Sequence, residues 1–343
     1  MSTLLSRLGI DRPLLAAPMA GGASTPALVT ATARAGGLGF LAGGYKSAQA
    51  LAGQIRTVEA EGVPFGVNLF ARTPVPVSPE AYRAYARLLQ DEADRYGLTV
   101  TGTGPLDDDD NWTDKIDLLT ARPVPWVSFT FGLPDTGTVT SLRRAGTTVL
   151  QCVTTPAEAR LAADAGVDAL IVQASAAGGH SATLTPERPL TPVALPDLVS
   201  AVRHTVPLPV IATGGIAGPA DVAAALRAGA QAAMVGTVLL RTDESGASAP
   251  HKAALADPGF DTTVITRAFT GRPARALRNR FTDRYSAHAP AGYPALHHLT
   301  SPLRKAATAA GDTDLIHLWA GTGHRQARTE PVAHTAERLT SCL

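Results

Sequence analysis

The sequence predicts an α/β fold, a (β/α)8 TIM barrel with a small additional α/β or lid domain. Short apolar runs alternate with helical stretches over most of the chain, the pattern of a parallel sheet buried on both faces. Eight runs stand in order: Leu14–Ala17, Leu38–Leu41, Phe65–Leu69, Trp126–Thr130, Thr147–Gln151, Ala169–Gln173, Val210–Ala212 and Ala233–Val235. Eight strand–helix units favour a closed barrel over an open sheet. The last two runs end in glycine turns, at Thr213-Gly214-Gly215 and Val235-Gly236-Thr237.

Taken in order, the first run follows Arg12 in the manner of a signal core, but Asp11, Pro13 and Pro18 interrupt it. It reads as a first strand rather than a leader. Helices are expected at Pro26–Ala35, Ser47–Glu61, Thr138–Ala145, Pro156–Ala165, Pro192–Thr205 and Pro219–Ala228. Gly36, Gly146, Gly166 and Gly229 follow four of them directly, where glycine commonly ends a helix. Two segments fall outside the eight units. Ser78–Gly97 is charged and helical and leads to Asp107-Asp108-Asp109-Asp110. That acidic run reads as a solvated loop, with metal binding as the alternative. The stretch from Arg241 to about Thr300 is rich in Arg, Pro and His and reads as a lid or small domain over the barrel mouth. The expected organisation is a barrel over 1–240 with a helical excursion at 76–120, a lid or substrate domain over 241–300, and a C-terminal segment over 301–343 that packs back on the barrel.

Composition agrees with a large core. Of 343 residues, 45% are hydrophobic and 17% charged, against a usual charged share of about a quarter. The net charge is +1, which gives no reason to expect nucleic acid or an anionic membrane as partner. No apolar stretch reaches the length of about 18 residues that a spanning helix needs, so a cytoplasmic location is expected. The two cysteines, Cys152 and Cys342, are no disulfide framework. Cys152 ends an apolar run and reads as a small core residue; a catalytic thiolate, the alternative, needs a neighbouring base.

The glycine turns suggest a ligand. Glycine lets backbone approach an anion, and N–H groups at a helix start can hold it. In barrels of this kind a phosphate commonly sits after strands 7 and 8. The run Gly37-Leu38-Gly39-Phe40-Leu41-Ala42 fits a dinucleotide pattern, but a true fingerprint follows a strand and opens a helix. Here the order is reversed, and a dinucleotide site is rejected.

Segments along nearly the whole chain resemble the nitronate monooxygenase family, formerly 2-nitropropane dioxygenases. They include Ala16-Ala17-Pro18-Met19-Ala20-Gly21-Gly22, Pro64-Phe65-Gly66-Val67-Asn68-Leu69-Phe70, Gln151-Cys152-Val153 and Ala177-Gly178-Gly179-His180. Later come Ala212-Thr213-Gly214-Gly215-Ile216, Phe269-Thr270-Gly271-Arg272-Pro273-Ala274-Arg275, Tyr293-Pro294 and Trp319-Ala320-Gly321-Thr322-Gly323. Each is weak alone; their order and spacing carry the resemblance.

The resemblance implies an FMN-dependent barrel enzyme that oxidises alkyl nitronates with O2 to a carbonyl compound and nitrite. It implies FMN phosphate on the backbone of Gly179, Gly214, Gly215, Gly236 and Thr237, although these glycines also suit tight turns alone. Ala17, Met19, Asn68 and Gln151 would lie against the flavin ring, Asn and Gln offering both donor and acceptor. Gly321 and Gly323 would bring a C-terminal loop to the ring. His180 corresponds to the base that removes the proton from the nitro-bearing carbon, a task suited to imidazole; a structural histidine is the alternative. His204, His251, His288, His297, His298, His317 and His324 read as surface or structural. Small-molecule substrate and O2 are the expected partners, no metal is expected, and oligomeric state is left open.

The segment Gln173-Ala174-Ser175-Ala176-Ala177-Gly178-Gly179-His180 departs from the family's common Gln-Gly-x-Glu-Ala-Gly-Gly-His. Ser181-Ala182 and Thr322 also depart. The resemblance places these changes on the substrate side, leaving FMN binding intact. An NAD(P)H-dependent FMN enoyl-thioester reductase is the alternative activity. A flavin oxygenase of a biosynthetic intermediate, or a phosphometabolite sensor, is the third.

Overall fold

The computed structural model describes residues 9–102 and 104–343. Residues 1–8 of the expected 1–240 unit, and Thr103, lie outside the described residues. Eight parallel strands close a barrel: β1 (Leu14–Ala16), β2 (Leu38–Ala42), β3 (Phe65–Ala71), β4 (Trp126–Phe131), β5 (Thr148–Val153), β6 (Ala169–Gln173), β8 (Val210–Thr213) and β9 (Ala232–Val235). Closure is made by β1 pairing with β9, Leu15 opposite Met234.

Alternation along the strands divides the core in two. Leu15, Phe40, Trp126, Leu150, Ile171, Ile211 and Met234 fill the barrel interior with Cys152. Their neighbours Leu14, Leu41, Val67, Val127, Val149 and Val172 face the helices. The period of two makes this partition. Burial pushes the Cys152 thiol up to about 12, which fits a core residue and not a thiolate.

The surrounding helices are α1 (Pro26–Arg34), α2 (Ala48–Glu59), α5 (Thr136–Arg144), α6 (Pro156–Asp164), α7 (Leu195–Thr205) and α8 (Pro219–Arg227). Thr25, Ser47, Asp135 and Thr155 cap four of them, each side chain accepting a backbone N–H, a stabilisation of about 1 kcal/mol per cap. The helix expected from Pro192 starts only at Leu195, with Pro196 in its first turn. Pro196 fits there because its missing N–H is no loss at that position.

The excursion holds two helices, α3 (Pro79–Asp94) and α4 (Trp112–Ala121); the second was not expected. The acidic run before it is an exposed loop at Asp107 and Asp108, as expected, but it is pinned at its end. Asp110 pairs with the buried Lys115 at 2.8 Å and accepts the Tyr45 N–H, while Asp108 faces His298 at 2.9 Å. Among the described residues no cluster suits a metal ion, and no helix is long and apolar enough to cross a membrane.

A second apolar core lies outside the barrel. It unites Tyr85 and Leu89 of α3 with Phe269, Leu277 and Phe281, then with Leu299, Leu303 and Leu318. The buried Glu92 of α3 ties this module together through Arg95, Arg280 and Arg284. A three-stranded antiparallel sheet joins the module to the barrel loops, in the order β10 (Thr263–Thr266), β11 (Ala274–Leu277) and β7 (Gly179–His180). α9 (Val332–Leu339) returns to the barrel and packs with α1.

Candidate active site

Four glycine-containing turns from distant parts of the sequence converge at one end of the barrel. Gly214 and Gly215 follow β8 at φ of 105° and 82°, a region that other residues enter only at a cost. A Cβ on Gly214 would lie 2.7 Å from the Ala174 carbonyl oxygen, and one on Gly323 would lie 2.3 Å from the Ala217 Cβ. The Gly321 N–H donates to Thr237 Oγ1 at 2.9 Å, and the Thr322 N–H donates to the Ala176 carbonyl at 3.1 Å. Gly321 therefore has a packing reason of its own, because the 176–178 and 320–322 backbones touch. Gly236 differs. Its φ is −123°, and a Cβ there would sit at ordinary distance, 3.5 Å, from the Ala17 Cβ and the Met19 sulfur. The φ of Gly179 is 75° with open space beside it.

Ala174 and Ala176 pack against Gly214 and Gly215. The reason is register. The Ala174 N–H donates to the Thr213 carbonyl, so the loop after β6 crosses the end of β8.

Asn68 and Gln151 stand inside the mouth on β3 and β5. The Asn68 amide nitrogen donates to the Ser128 hydroxyl and to Thr130 Oγ1, each at 2.9 Å, leaving its oxygen as the group available to a ligand. Gln151 is fully buried. Its nitrogen donates to the Gly132 and Cys152 carbonyls at 3.1 and 3.0 Å, and its Oε1 is buried without a partner. A buried acceptor without a donor costs about 1–3 kcal/mol, so this atom marks a place for a ligand N–H. The polar edge of an isoalloxazine ring supplies one. With the glycine turns, these residues fit a phosphorylated flavin.

His180 lies on β7, paired with Ala274. Phe131, Tyr293 and Trp319 ring its imidazole, with centroids at 5.4, 6.0 and 5.2 Å. Its Nε2 is 2.9 Å from Thr270 Oγ1. Burial first, then the charges of Arg272 and Arg304, lower its pKa to about 3. The near-neutral titration of a free imidazole is thus not kept, and the ring is neutral at pH 7. A negative charge brought to the site would raise the value again.

Sequence reading missed the cationic floor beneath this ring. Arg272 is completely buried, with its guanidinium 4.1 Å from the Phe131 ring centre. It donates to the Ser181 and Phe131 carbonyls at 3.3 and 3.5 Å, and to that of Thr183. Phe131 itself has φ of 81°, a strained setting for an aromatic residue. Arg304 is also buried and donates to His297 Nδ1 and to the His317 ring, at 3.2 and 3.3 Å. His297 stacks on Tyr45 with centroids 4.2 Å apart. Of the two readings for His297 and His317, surface or structural, the pairing with Arg304 fits the structural one. The segments carrying Arg272 and Tyr293 resemble the family, but no local pattern says that both side chains meet the Phe131 ring.

The family model described as nitronate monooxygenase matches residues 2–341. A nitronate monooxygenase of Pseudomonas aeruginosa is 37% identical, with 98% of this chain and 97% of that protein covered. A probable nitronate monooxygenase of Staphylococcus aureus is 34% identical, with 96% and 93% covered. Among solved structures, nitroalkane oxidase from Streptomyces ansochromogenes superposes with a TM-score of 0.92 at 47% identity, covering 99% of this chain and 97% of that one. FabK from Thermotoga maritima superposes at 0.76 with 27% identity, covering 99% and 96%. The fold, the converging glycine turns and these relatives lead to one conclusion: the chain belongs to the nitronate monooxygenase family of oxidoreductases.

Proposed function

We propose that this protein binds FMN and oxidises alkyl nitronates with O2 to a carbonyl compound and nitrite. The observation that carries the reading is the placement of His180 in an aromatic ring of contacts, on the strand that leaves the glycine cluster. Gly179, Gly214, Gly215, Gly236 and Thr237 would hold the phosphate, and Ala17, Met19, Asn68 and Gln151 the ring, with Gly321 and Gly323 closing from the C-terminal loop. FMN held there would supply the route for electrons from substrate to O2. The chain's own task is to orient an electron-rich anion and exclude water. For a neutral nitroalkane, His180 takes the carbon-bound proton, and the Arg272 and Arg304 charges favour the resulting anion nearby. The module built on the second core serves as the lid, and the enzyme works in the cytoplasm without nucleic acid, membrane or metal.

The test is aerobic incubation with propionate 3-nitronate and simple nitronates, scoring nitrite, carbonyl product and flavin identity. Release of FAD, or no nitrite at full flavin occupancy, refutes the reading. The FabK likeness favours a second one, NAD(P)H-dependent reduction of an enoyl thioester. Rapid NAD(P)H oxidation with that substrate and no nitrite from nitronates would establish it instead.

A further inference from the structure

We infer that Thr270 is a positioning residue that fixes the tautomer of His180, so that Nε2 carries the proton and Nδ1 is the accepting atom. The inference rests on the proposed role of His180 as base and adds which nitrogen acts.

A hydroxyl has one proton and two lone pairs, and the buried Thr270 Oγ1 has three neighbours. The Arg272 N–H donates to it at 3.4 Å. The Arg272 carbonyl lies 3.3 Å away and can only accept. His180 Nε2 lies 2.9 Å away. If the hydroxyl proton goes to that carbonyl, Oγ1 accepts from both Nε2–H and the Arg272 N–H, and every group is paired. If the proton goes to Nε2, the Arg272 carbonyl loses this donor in a buried place, at a cost. The first arrangement is favoured.

The second nitrogen, Nδ1, makes no hydrogen bond to any described residue. It is therefore free for a substrate. When a nitroalkane C–H bond breaks, the electron pair stays on the nitronate and the proton goes to Nδ1. The imidazolium still donates from Nε2 to the same Thr270 lone pair. Neutral and protonated rings thus use one unchanged hydrogen bond, and no group has to turn during proton transfer. The Arg272 backbone that anchors Thr270 is held in turn, because its guanidinium grips the Ser181 and Thr183 carbonyls on the His180 loop.

The test combines spectroscopy with kinetics. In ¹⁵N-histidine-labelled protein, with the His180 signals assigned by loss in His180→Asn, the wild type is expected to show the neutral Nε2–H form above pH 6. Thr270→Val, which keeps shape and removes the hydroxyl, should shift the ring toward a tautomer mixture, and Thr270→Ser should restore the wild-type signals. For neutral nitroalkanes, Thr270→Val should lower kcat on the order of tenfold, the scale of one hydrogen bond. KM and turnover of preformed nitronates should change little, and Thr270→Ser should recover the rate. A wild-type ring protonated at Nδ1 overturns the inference, even if no variant folds. So do Thr270→Val signals identical to wild type. If His180→Asn leaves neutral nitroalkane turnover unchanged while the tautomer result holds, the base role fails and the tautomer assignment stands.

Discussion

Gln151→Met separates the fold from the flavin. Gln151 is fully buried on β5, and Met matches its length without branching. In the flavin-free protein two changes oppose each other. The Gly132 and Cys152 carbonyls each lose a donor, together about 2 kcal/mol at about 1 kcal/mol per net hydrogen bond. Removal of the partnerless Oε1 relieves about 1–3 kcal/mol. The sum is near zero, so the flavin-free variant should unfold within about 1 kcal/mol of wild type. In the loaded protein the proposed flavin contact would remove this relief, because Oε1 would then accept a flavin N–H. The variant should then bind FMN more weakly by about 1–3 kcal/mol, a dissociation constant raised about 5- to 150-fold. The assay is FMN titration by flavin fluorescence, beside denaturant unfolding of flavin-free and loaded protein. Unchanged FMN affinity with an intact fold would show that Oε1 does not face the cofactor. A flavin-free variant destabilised by more than about 4 kcal/mol would show that Gln151 is chiefly a structural brace.

Three further outcomes follow from the same site. His180→Asn should lower neutral nitroalkane turnover by a factor on the order of 10²–10⁴, the range of general base catalysis, while preformed nitronates keep most of their rate; nitrite release from each form at full FMN occupancy decides, and an equal fall in both would mean that His180 stabilises the anion instead. Gly236→Asp should fold, since its Cβ would meet Ala17 and Met19 at ordinary distance, yet lose FMN affinity on the order of tenfold or more through repulsion of the phosphate; equal FMN occupancy would put the phosphate elsewhere. Acid should destabilise the protein early. His180 and His251 are lowered to about 3 and about 4, and burial also lowers His297 and His317, all below the value of about 6.5 that holds in the unfolded chain. The unfolded chain therefore binds more protons below pH 6.5, and stability present above that pH is lost as pH falls toward 4 and 3. Tm measured from pH 8 to 4 should fall, and a flat profile to pH 4 would refute the neutral, buried state of these rings.

Much of the barrel was legible from local pattern. All eight strands lie where apolar runs and glycine punctuation place them, because strand burial and helix capping depend on neighbours a few residues apart. The convergence of Gly214–Gly215 and Gly236–Thr237 follows from the same regularity, since adjacent strands of a barrel deliver their loops to the same end. The start of α7 and the existence of α4 were less legible, since a proline or an acidic run is compatible with loop and helix alike.

What the chain alone determined was therefore the alternation that closes a barrel and the glycine turns at its mouth. What only the tertiary structure decided was the company His180 keeps. Thr270 meets its ring from 90 positions away in the chain, Arg272 supports the His180 loop from beneath, and Arg304 draws His297 and His317 beside it. None of these residues carries a local signature, because a buried guanidinium or hydroxyl takes its role from the carbonyls and rings that folding brings within about 3 Å.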